Sequence, residues 1–321
     1  MALRSTCSRS PPSARDGRER GTRLTCDLGL QRSAGMTILR HTDVITTATL
    51  QLKWLVGGLL LLAALTTAAA DWRRDAVDTL VRESGDHRLV VLGEMHGTRE
   101  IPLLAGDLVE RWSTSGPVLL ALEIPAREHP ALREVVTGGG TEALIDGLRQ
   151  RPWWTLSPDQ SDGRRSEDVL SLVQRIGALR GEGRDVTILA FDPRSQRCFE
   201  LDNCEAAMAH VLRRAYDAFP RGRILVVTGN VHAMRKRPPN APALFPQMPM
   251  TAHLRDLVPV SIDISAARGA FWACMDDDAC RAFPADTLPR NAGRQRDDAP
   301  YDYRLVLPAF TPIRQVGEAG R

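Results

Sequence analysis

Four short apolar segments, each followed within two residues by a polar residue, constrain the fold of this chain more than any other feature. They are Leu89–Leu92, Val118–Leu122, Val186–Phe191 and Ile224–Val227. Segments that are apolar throughout and alternate with helical periodicity are typical of parallel strands covered by helices on both faces. We therefore expect an α/β fold with a mostly parallel central sheet and helices on both faces.

Helical spacing of apolar residues fills the intervals between these segments. The predicted helices cover residues 76–83, 101–112, 131–136, 142–148, 168–179 and 204–219. Further strands are predicted at Val258–Ile264, Ala270–Ala273 and Tyr303–Leu307, with some antiparallel pairing in this C-terminal region. Residues 71–321 are enough for one domain with a sizeable core.

Ionisable residues follow the predicted strands at their carboxyl ends. In parallel sheets ligands bind in the crevice outside these ends, so the residues placed there are the candidates for a functional site. The principal candidates are Glu94, His96, Glu123 and His232, and Glu100, Asp192 and Asn230 are expected at the edge of the site.

Two imidazoles and two carboxylates support general acid–base chemistry, and the same set can hold a divalent metal ion. In the first case His96 or His232 deprotonates water while a glutamate orients the ring. In the second, Glu94, His96, Glu123 and His232 are the metal ligands, and the metal lowers the pKa of a bound water. The sequence contains no GxSxG, HExxH, GxGxxG or Walker A motif, so a serine-hydrolase elbow and a conventional zincin are not supported.

The charge distribution excludes one class of partner. Although the whole chain has a formal net charge of +3, residues 71–321 carry 33 Lys and Arg against 35 Asp and Glu. The predicted domain therefore lacks the basic surplus typical of a nucleic-acid-binding surface.

The N-terminal part has the composition of a targeting sequence. Residues 54–70 are apolar and uncharged, follow Lys53 and end in Ala68-Ala69-Ala70. This pattern predicts a signal peptide over residues 36–70, cleavage after Ala70, and a periplasmic or secreted domain over residues 71–321. The alternative is an uncleaved membrane anchor formed by residues 54–70. Residues 1–35 are expected to be a disordered extension or a misassigned start, since Met36 is the better initiator.

Four cysteines in the predicted domain agree with export. Cys198 and Cys204 are separated by five residues, as are Cys274 and Cys280. This spacing differs from that of zinc knuckles, and disulfides are the favoured state of paired cysteines in exported proteins. The sequence leaves all three connectivities open.

Three short motifs carry a family resemblance. They are Gly-Glu-Met-His at residues 93–96, Leu-Glu-Ile-Pro at residues 122–125 and Gly-Asn-Val-His at residues 229–232. Together they resemble the erythromycin esterase/ChaN/TIKI superfamily over residues 86–265. The resemblance implies an α/β core with its site at the carboxyl edge of the sheet, and it assigns Glu94, His96, Glu123 and His232 to that site.

The superfamily includes esterases that open macrolide lactones, haem-binding lipoproteins and metal-dependent membrane proteases. This chain has no lipoprotein cysteine after its apolar segment. It therefore resembles the haem-binding lipoproteins less well in its means of membrane attachment. The favoured function is an exported hydrolase acting on a small-molecule or peptide substrate that the sequence does not identify.

Two alternatives to the hydrolase stay open. One is a periplasmic haem- or metal-binding protein without catalysis, in which His96 or His232 would bind the cofactor. An axial tyrosine is limited to Tyr216, Tyr301 and Tyr303, the only tyrosines of the chain. The other is a scaffold that keeps the fold without any chemistry.

Overall fold

The computed structural model describes residues 72–157, 160–193, 203–243, 245–274 and 280–317. The predicted extension, signal peptide and cleavage site, and also Cys198, lie outside the described residues. No helix within these ranges is both long and apolar enough to span a membrane.

A seven-stranded sheet forms the centre of the fold, with strand order β3-β2-β4-β1-β5-β9-β8. All neighbouring strands in it are parallel except β8, which runs antiparallel to β9, and β6 and β7 form a separate antiparallel pair. The strands are β1 (Leu89–Glu94), β2 (Val118–Pro125), β3 (Val186–Asp192), β4 (Arg223–Gly229), β5 (Val260–Ala266), β6 (Ala270–Ala273), β7 (Arg281–Pro284), β8 (Gly293–Arg294) and β9 (Tyr303–Leu307). The predicted mostly parallel α/β class is thus confirmed.

Helices flank the sheet in the intervals that the sequence periodicity indicates. They are α1 (72–84), α2 (Glu100–Trp112), α3 (His129–Thr137), α4 (Glu142–Arg149), α5 (Glu167–Gly181), α6 (Cys204–Ala218) and the single turn α7 (Asn230–Ala233). Ser166 caps α5 by accepting a 3.1 Å hydrogen bond from the backbone N–H of Val169, which satisfies one of the unpaired donors of the first helical turn.

The apolar strands are buried on both faces because alternate side chains point to opposite sides of the sheet. In β1, Val90 and Leu92 belong to the core cluster that includes α2 and α5, whereas Leu89 and Val91 belong to the cluster on the α6 face. This two-sided burial explains why the strands are apolar throughout instead of alternating with polar residues.

The predicted antiparallel pairing in the C-terminal region is confirmed for β6–β7 and β8–β9. By contrast, β5 runs parallel to β1, and β9 runs parallel to β5. Residues 267–302 connect β5 to β9, a length that permits the crossover a parallel pair requires. Val258, predicted as the start of a strand, instead adopts φ 51° in the left-handed region ahead of β5.

One disulfide joins Cys274 to Cys280 next to the β6–β7 pair. Cys204, the first residue of α6, is also disulfide-bonded. Paired cysteines at these positions agree with the sequence prediction. The partner of Cys204 lies outside the described residues.

Strand order brings the predicted site residues to one region of the sheet edge. Glu94 at the end of β1 is in register with Gly229 at the end of β4, and β4 is also the neighbour of β2, which carries Glu123. The loops after β1, β2 and β4 therefore leave the sheet side by side.

Candidate active site

Glu123 lies at the centre of the candidate site. Its side chain is 1% exposed, near the carboxyl end of β2. Its Oε2 accepts hydrogen bonds from Thr228 Oγ1 at 2.6 Å and from the backbone N–H of Gly229 at 2.8 Å, and its Oε1 accepts one from Arg164 Nη1 at 2.8 Å. Three donors, one of them cationic, favour the ionised carboxylate and fix its orientation.

His96 approaches this carboxylate from the turn that follows β1. Its Nδ1 lies 2.9 Å from Glu94 Oε1, and its Nε2 lies 3.7 Å from Glu123 Oε2. Because a carboxylate only accepts hydrogen bonds, Nδ1–H is the donor to Glu94, which leaves Nε2 as the basic nitrogen of the neutral ring. Glu94 thereby fixes the tautomer of His96 and the direction of its free nitrogen.

His232 approaches from the opposite side, in the short helix α7 after β4. Its Nδ1–H donates to Glu205 Oε1 at 2.6 Å, and its Nε2 lies 3.8 Å from Glu123 Oε1. Glu205 is itself held by a 2.6 Å hydrogen bond from the backbone N–H of Met250. The site thus contains two histidine–carboxylate pairs whose Nε2 atoms face the same central carboxylate.

The glycine at the end of β4 allows these rings to come this close. A Cβ placed on Gly229 would lie 3.0 Å from His96 Nε2, 3.3 Å from His232 Cδ2 and 3.6 Å from Glu123 Oε2. Any other residue at this position would intrude between the three side chains, so Gly229 is required by the close approach.

Arg164 completes the site, and sequence analysis did not find it. Its Nη1 donates to Glu123 and lies 3.3 Å from Asp192 Oδ2, while its Nε donates to Asp162 Oδ2 at 2.9 Å. Burial lowers the pKa of this guanidinium, but the three carboxylates outweigh that effect and raise it above its usual range. Burial likewise raises the pKa of Asp162, yet Arg164 more than offsets this and holds it below its usual range.

Neither Arg164 nor Glu205 carried a signal that sequence analysis could use. Arg164 lies in a loop without periodicity, in a chain where nearly all basic residues are Arg. Glu205 follows Cys204 in the first turn of α6, where an acidic residue is ordinary because it complements the helix dipole.

Opposing effects set the pKa of His96. Burial lowers it, since desolvation disfavours the imidazolium, but the charges of Glu123 and Glu94 and the hydrogen bond to Glu94 raise it. The net pKa lies above the ordinary value of 6.5. A neutral His96 is thus a stronger base than a histidine in water, and its protonated form is stabilised in place.

The three residues expected at the edge of the site have different surroundings. Asp192 is buried at the end of β3 and neighbours Arg164 at 3.3 Å. Glu100 accepts a 2.9 Å hydrogen bond from the backbone N–H of Thr311. Asn230 begins α7, and its carbonyl accepts a 2.9 Å hydrogen bond from the hydroxyl of Tyr301.

A C-terminal segment, residues 310–314, braces the turn that carries His96. The carbonyl of Gly97 accepts hydrogen bonds from the backbone N–H of Ile313 at 3.1 Å and of Trp272 at 2.9 Å. Arg99 N–H donates to the carbonyl of Thr311 at 3.0 Å. Gly97 has φ +79°, and a Cβ there would lie 1.9 Å from the carbonyl oxygen of Trp272, so this position also requires glycine.

The residues of the site do not fit a bound metal ion. Among the described residues, no group of three or more His, Cys, Asp and Glu side chains is placed to hold one. Both oxygens of Glu123 accept hydrogen bonds, and the guanidinium of Arg164 would repel a cation bound beside it.

The contacts of the same residues do not favour haem either. A haem axial ligand faces the cofactor pocket, but the hydroxyl of Tyr301 donates a hydrogen bond to the carbonyl of Asn230. The Nε2 atoms of His96 and His232 both face the buried Glu123.

Comparison with known proteins shows the same fold among solved structures. No protein-family model and no curated protein matches the sequence. A mutant of the erythromycin esterase EreC in its open conformation aligns with a TM-score of 0.53 and 12% identity, covering 74% of this chain and 95% of its own. The resemblance expected from the motifs is thus confirmed at the level of the fold.

Two further structures align with lower TM-scores. The type III effector HopBA1 has a TM-score of 0.44 and 19% identity, with 73% of this chain and 93% of its own covered. A protein from Bacillus cereus has a TM-score of 0.49 and 11% identity, with 74% of this chain and 92% of its own covered.

Proposed function

We propose that the protein is an esterase that activates water by general acid–base catalysis at His96 and His232. One observation carries this proposal: two imidazoles, each fixed through Nδ1 by its own glutamate, direct Nε2 toward one buried carboxylate. Carboxylic esters are the proposed substrates because EreC, which shares the fold, is an erythromycin esterase.

In the proposed reaction His96 is the general base. Water hydrogen-bonded to Nε2 of His96 attacks the ester carbonyl carbon, and Nε2 takes the proton while Glu94 and Glu123 stabilise the imidazolium. Proton transfer of this kind contributes about 10²–10⁴-fold in rate. The base must be neutral to act, so its raised pKa places the acidic limb of the activity profile above pH 6.5.

His232 supports the second proton transfer. Collapse of the tetrahedral intermediate breaks the ester C–O bond, and the leaving oxygen takes a proton from Nε2 of protonated His232, whose charge Glu205 stabilises before this transfer. Proton exchange with solvent then removes the proton from His96 and returns one to His232. Arg164 does not touch the substrate in this scheme. It is the cation shared by Glu123, Asp162 and Asp192, and its charge partly offsets the repulsion among these three carboxylates.

We further propose that this esterase acts outside the cytoplasm. Residues 54–70 have the pattern of a signal peptide, and the Cys274–Cys280 disulfide is of the kind that persists in oxidising compartments. The substrate would then be an extracellular or periplasmic small molecule or peptide derivative that carries an ester.

A panel of 4-nitrophenyl esters and lactones assayed with the purified protein tests the esterase proposal. We expect hydrolysis that His96→Gln reduces by at least about 10²-fold, whereas His210→Gln leaves it unchanged. His210 is the matched control because it lies on the exposed face of α6. Hydrolysis of equal rate in both variants would overturn the proposal.

A further inference from the structure

A small apolar cavity adjoins the polar residues of the active site. It has a volume of about 30 Å³ and reaches Glu94, Glu123 and Arg164. The rest of its wall consists of apolar side chains from β2, β4, α2 and α5, namely Pro102, Leu122, Ile124, Val169, Leu172 and Val227. We call it the apolar slot.

The slot has the size and chemistry of an aliphatic subsite. A water molecule needs about 10–15 Å³ of such volume and two to four polar partners. The slot offers more room than that. Its three charged residues, Glu94, Glu123 and Arg164, already bond to other groups of the site, whereas the six other lining side chains are apolar and favour an apolar group over water. That volume holds about two water-sized groups, which limits an aliphatic occupant to a short chain.

A second cavity lies behind the same wall. It has a volume of about 300 Å³, lies between α2 and α5, and shares Pro102 and Leu172 with the apolar slot. Leu103, 43% exposed, contributes an apolar surface to it, and the charged part of its wall consists of Arg73, Asp168, Arg175 and Arg314. Leu172 is 4% exposed and belongs to both cavity walls, so its side chain stands between the slot and the larger space.

We propose that the apolar slot binds the aliphatic acyl chain of the substrate ester and that Leu172 limits the length of this chain. This inference rests on the proposed esterase function and specifies its substrate class as short straight-chain acyl esters. The acyl chain would enter the slot beside Glu94 and Glu123 and extend toward Leu172.

The chain-length profile of hydrolysis tests this assignment. Wild-type protein is assayed with the 4-nitrophenyl esters of acetate, propionate, butyrate, hexanoate and octanoate. We expect kcat/KM to peak at propionate or butyrate and to fall for the longer chains. Leu172→Ala joins the two cavities, so we expect kcat/KM for hexanoate to rise relative to acetate by about tenfold, the scale of discrimination by methylene groups in apolar pockets.

Leu179→Ala is the matched control. Leu179 lies on the same helix and is buried to a similar extent, 5% exposed, but it lines neither cavity. Both variants lose a buried isobutyl group and a similar amount of stability, so only a subsite predicts that their chain-length profiles differ. A Leu172→Ala profile identical to that of wild type and Leu179→Ala would identify the slot as a packing void and overturn the inference.

A binding measurement separates failure of this inference from failure of the esterase proposal. If no ester is hydrolysed, the proposed function fails, and binding of neutral butyramide, measured by calorimetry, decides the subsite alone. We then expect binding to wild type and at least about tenfold weaker binding to Leu172→Phe, because the larger ring fills the slot. Absence of butyramide binding to wild type, or equal binding to both proteins, would overturn the inference.

Discussion

The Nε2 of His96 lies 3.7 Å from Oε2 of Glu123, a carboxylate that is held in place by donors from β4 and by Arg164. This separation is longer than a hydrogen bond, so Nε2 of His96 does not hydrogen-bond to the carboxylate that raises the pKa of the ring. The nitrogen can therefore accept a proton from water. Glu123 therefore acts on His96 through its charge, while Glu94 acts through a direct hydrogen bond.

The two histidines should behave as one catalytic unit. His96→Ala and His232→Ala should each lower kcat by about 10²–10⁴-fold, and the double variant should lose little beyond the worse single variant, as residues of one unit do. Steady-state kinetics measures this, with far-UV circular dichroism to show that the fold is retained. His210→Ala, a substitution at an exposed position of α6, is the control. Additive losses in the double variant would contradict a shared step.

Removing the charge of Glu94 should shift the pH dependence of hydrolysis in a defined direction. The carboxylate raises the pKa of His96, so Glu94→Gln should move the acidic limb of the kcat/KM profile to lower pH. Glu83→Gln is the control, since Glu83 pairs with Arg82 and Arg294 outside the site. An unshifted limb in Glu94→Gln would mean that another group controls the profile.

The same pKa shift predicts how stability changes with pH. Because the pKa of His96 is higher in the folded protein than the ordinary 6.5, its contribution is fully present below pH 6.5 and is lost as pH rises through the raised value. The difference in thermal midpoint between wild type and His96→Gln should therefore be largest at acidic pH and shrink toward alkaline pH. A difference that grows with pH would show that His96 is neutral when it stabilises the fold.

Loss of Arg164 should destabilise the protein far more than loss of an exposed arginine. Arg164→Met leaves Glu123, Asp162 and Asp192 without their shared cation, and breaking a buried ion pair on one side costs about 3–5 kcal/mol. Arg180→Met is the matched control. Its ion pair with Asp185 is exposed, so a loss of about 0–1 kcal/mol is expected. Urea denaturation of both variants compares the two free energies of unfolding.

The thiols and the N-terminus together test the proposed export. Alkylation without reduction should leave Cys204, Cys274 and Cys280 unmodified, because all three are disulfide-bonded, and Cys198 is predicted to be protected as well. Intact mass of the protein from host fractions should place the mature N-terminus at Asp71. Freely alkylated thiols, or a membrane-bound species that retains residues 54–70, would contradict a cleaved and oxidised exported protein.

The part of the site that sequence analysis predicted is the part that strand topology dictates. Glu94, His96, Glu123 and His232 all follow apolar strands, and parallel strands bring their carboxyl ends to one edge. The structure does bring these four side chains together. The direction of β9 could not be obtained in this way, because the spacing of apolar residues within a strand is the same for either direction.

Arg164 and Glu205 could not be predicted for a different reason. Arg164 reaches Glu123 from an irregular loop, and Glu205 reaches His232 from the first turn of α6. Their positions depend on how the 160–166 loop and α6 pack against the sheet. The spacing of apolar residues along the sequence carries no information about this packing. Glu100 is the opposite case. Its position close to the Gly-Glu-Met-His motif suggested a role at the site, but its carboxylate accepts a hydrogen bond from the backbone N–H of Thr311.

The brace on the His96 turn has a consequence for biosynthesis. Glu100 and Thr311 are 211 positions apart in the sequence. Their hydrogen bond and those of Gly97 fix the backbone of the turn that carries His96. During translation, strands β1 to β4 emerge well before residues 310–314, so a nascent chain can assemble most of its sheet while this turn still lacks its anchors. For the proposed esterase we therefore expect His96 to be fixed late in synthesis, and we expect a chain truncated ahead of Thr311 to lack these hydrogen bonds to the His96 turn.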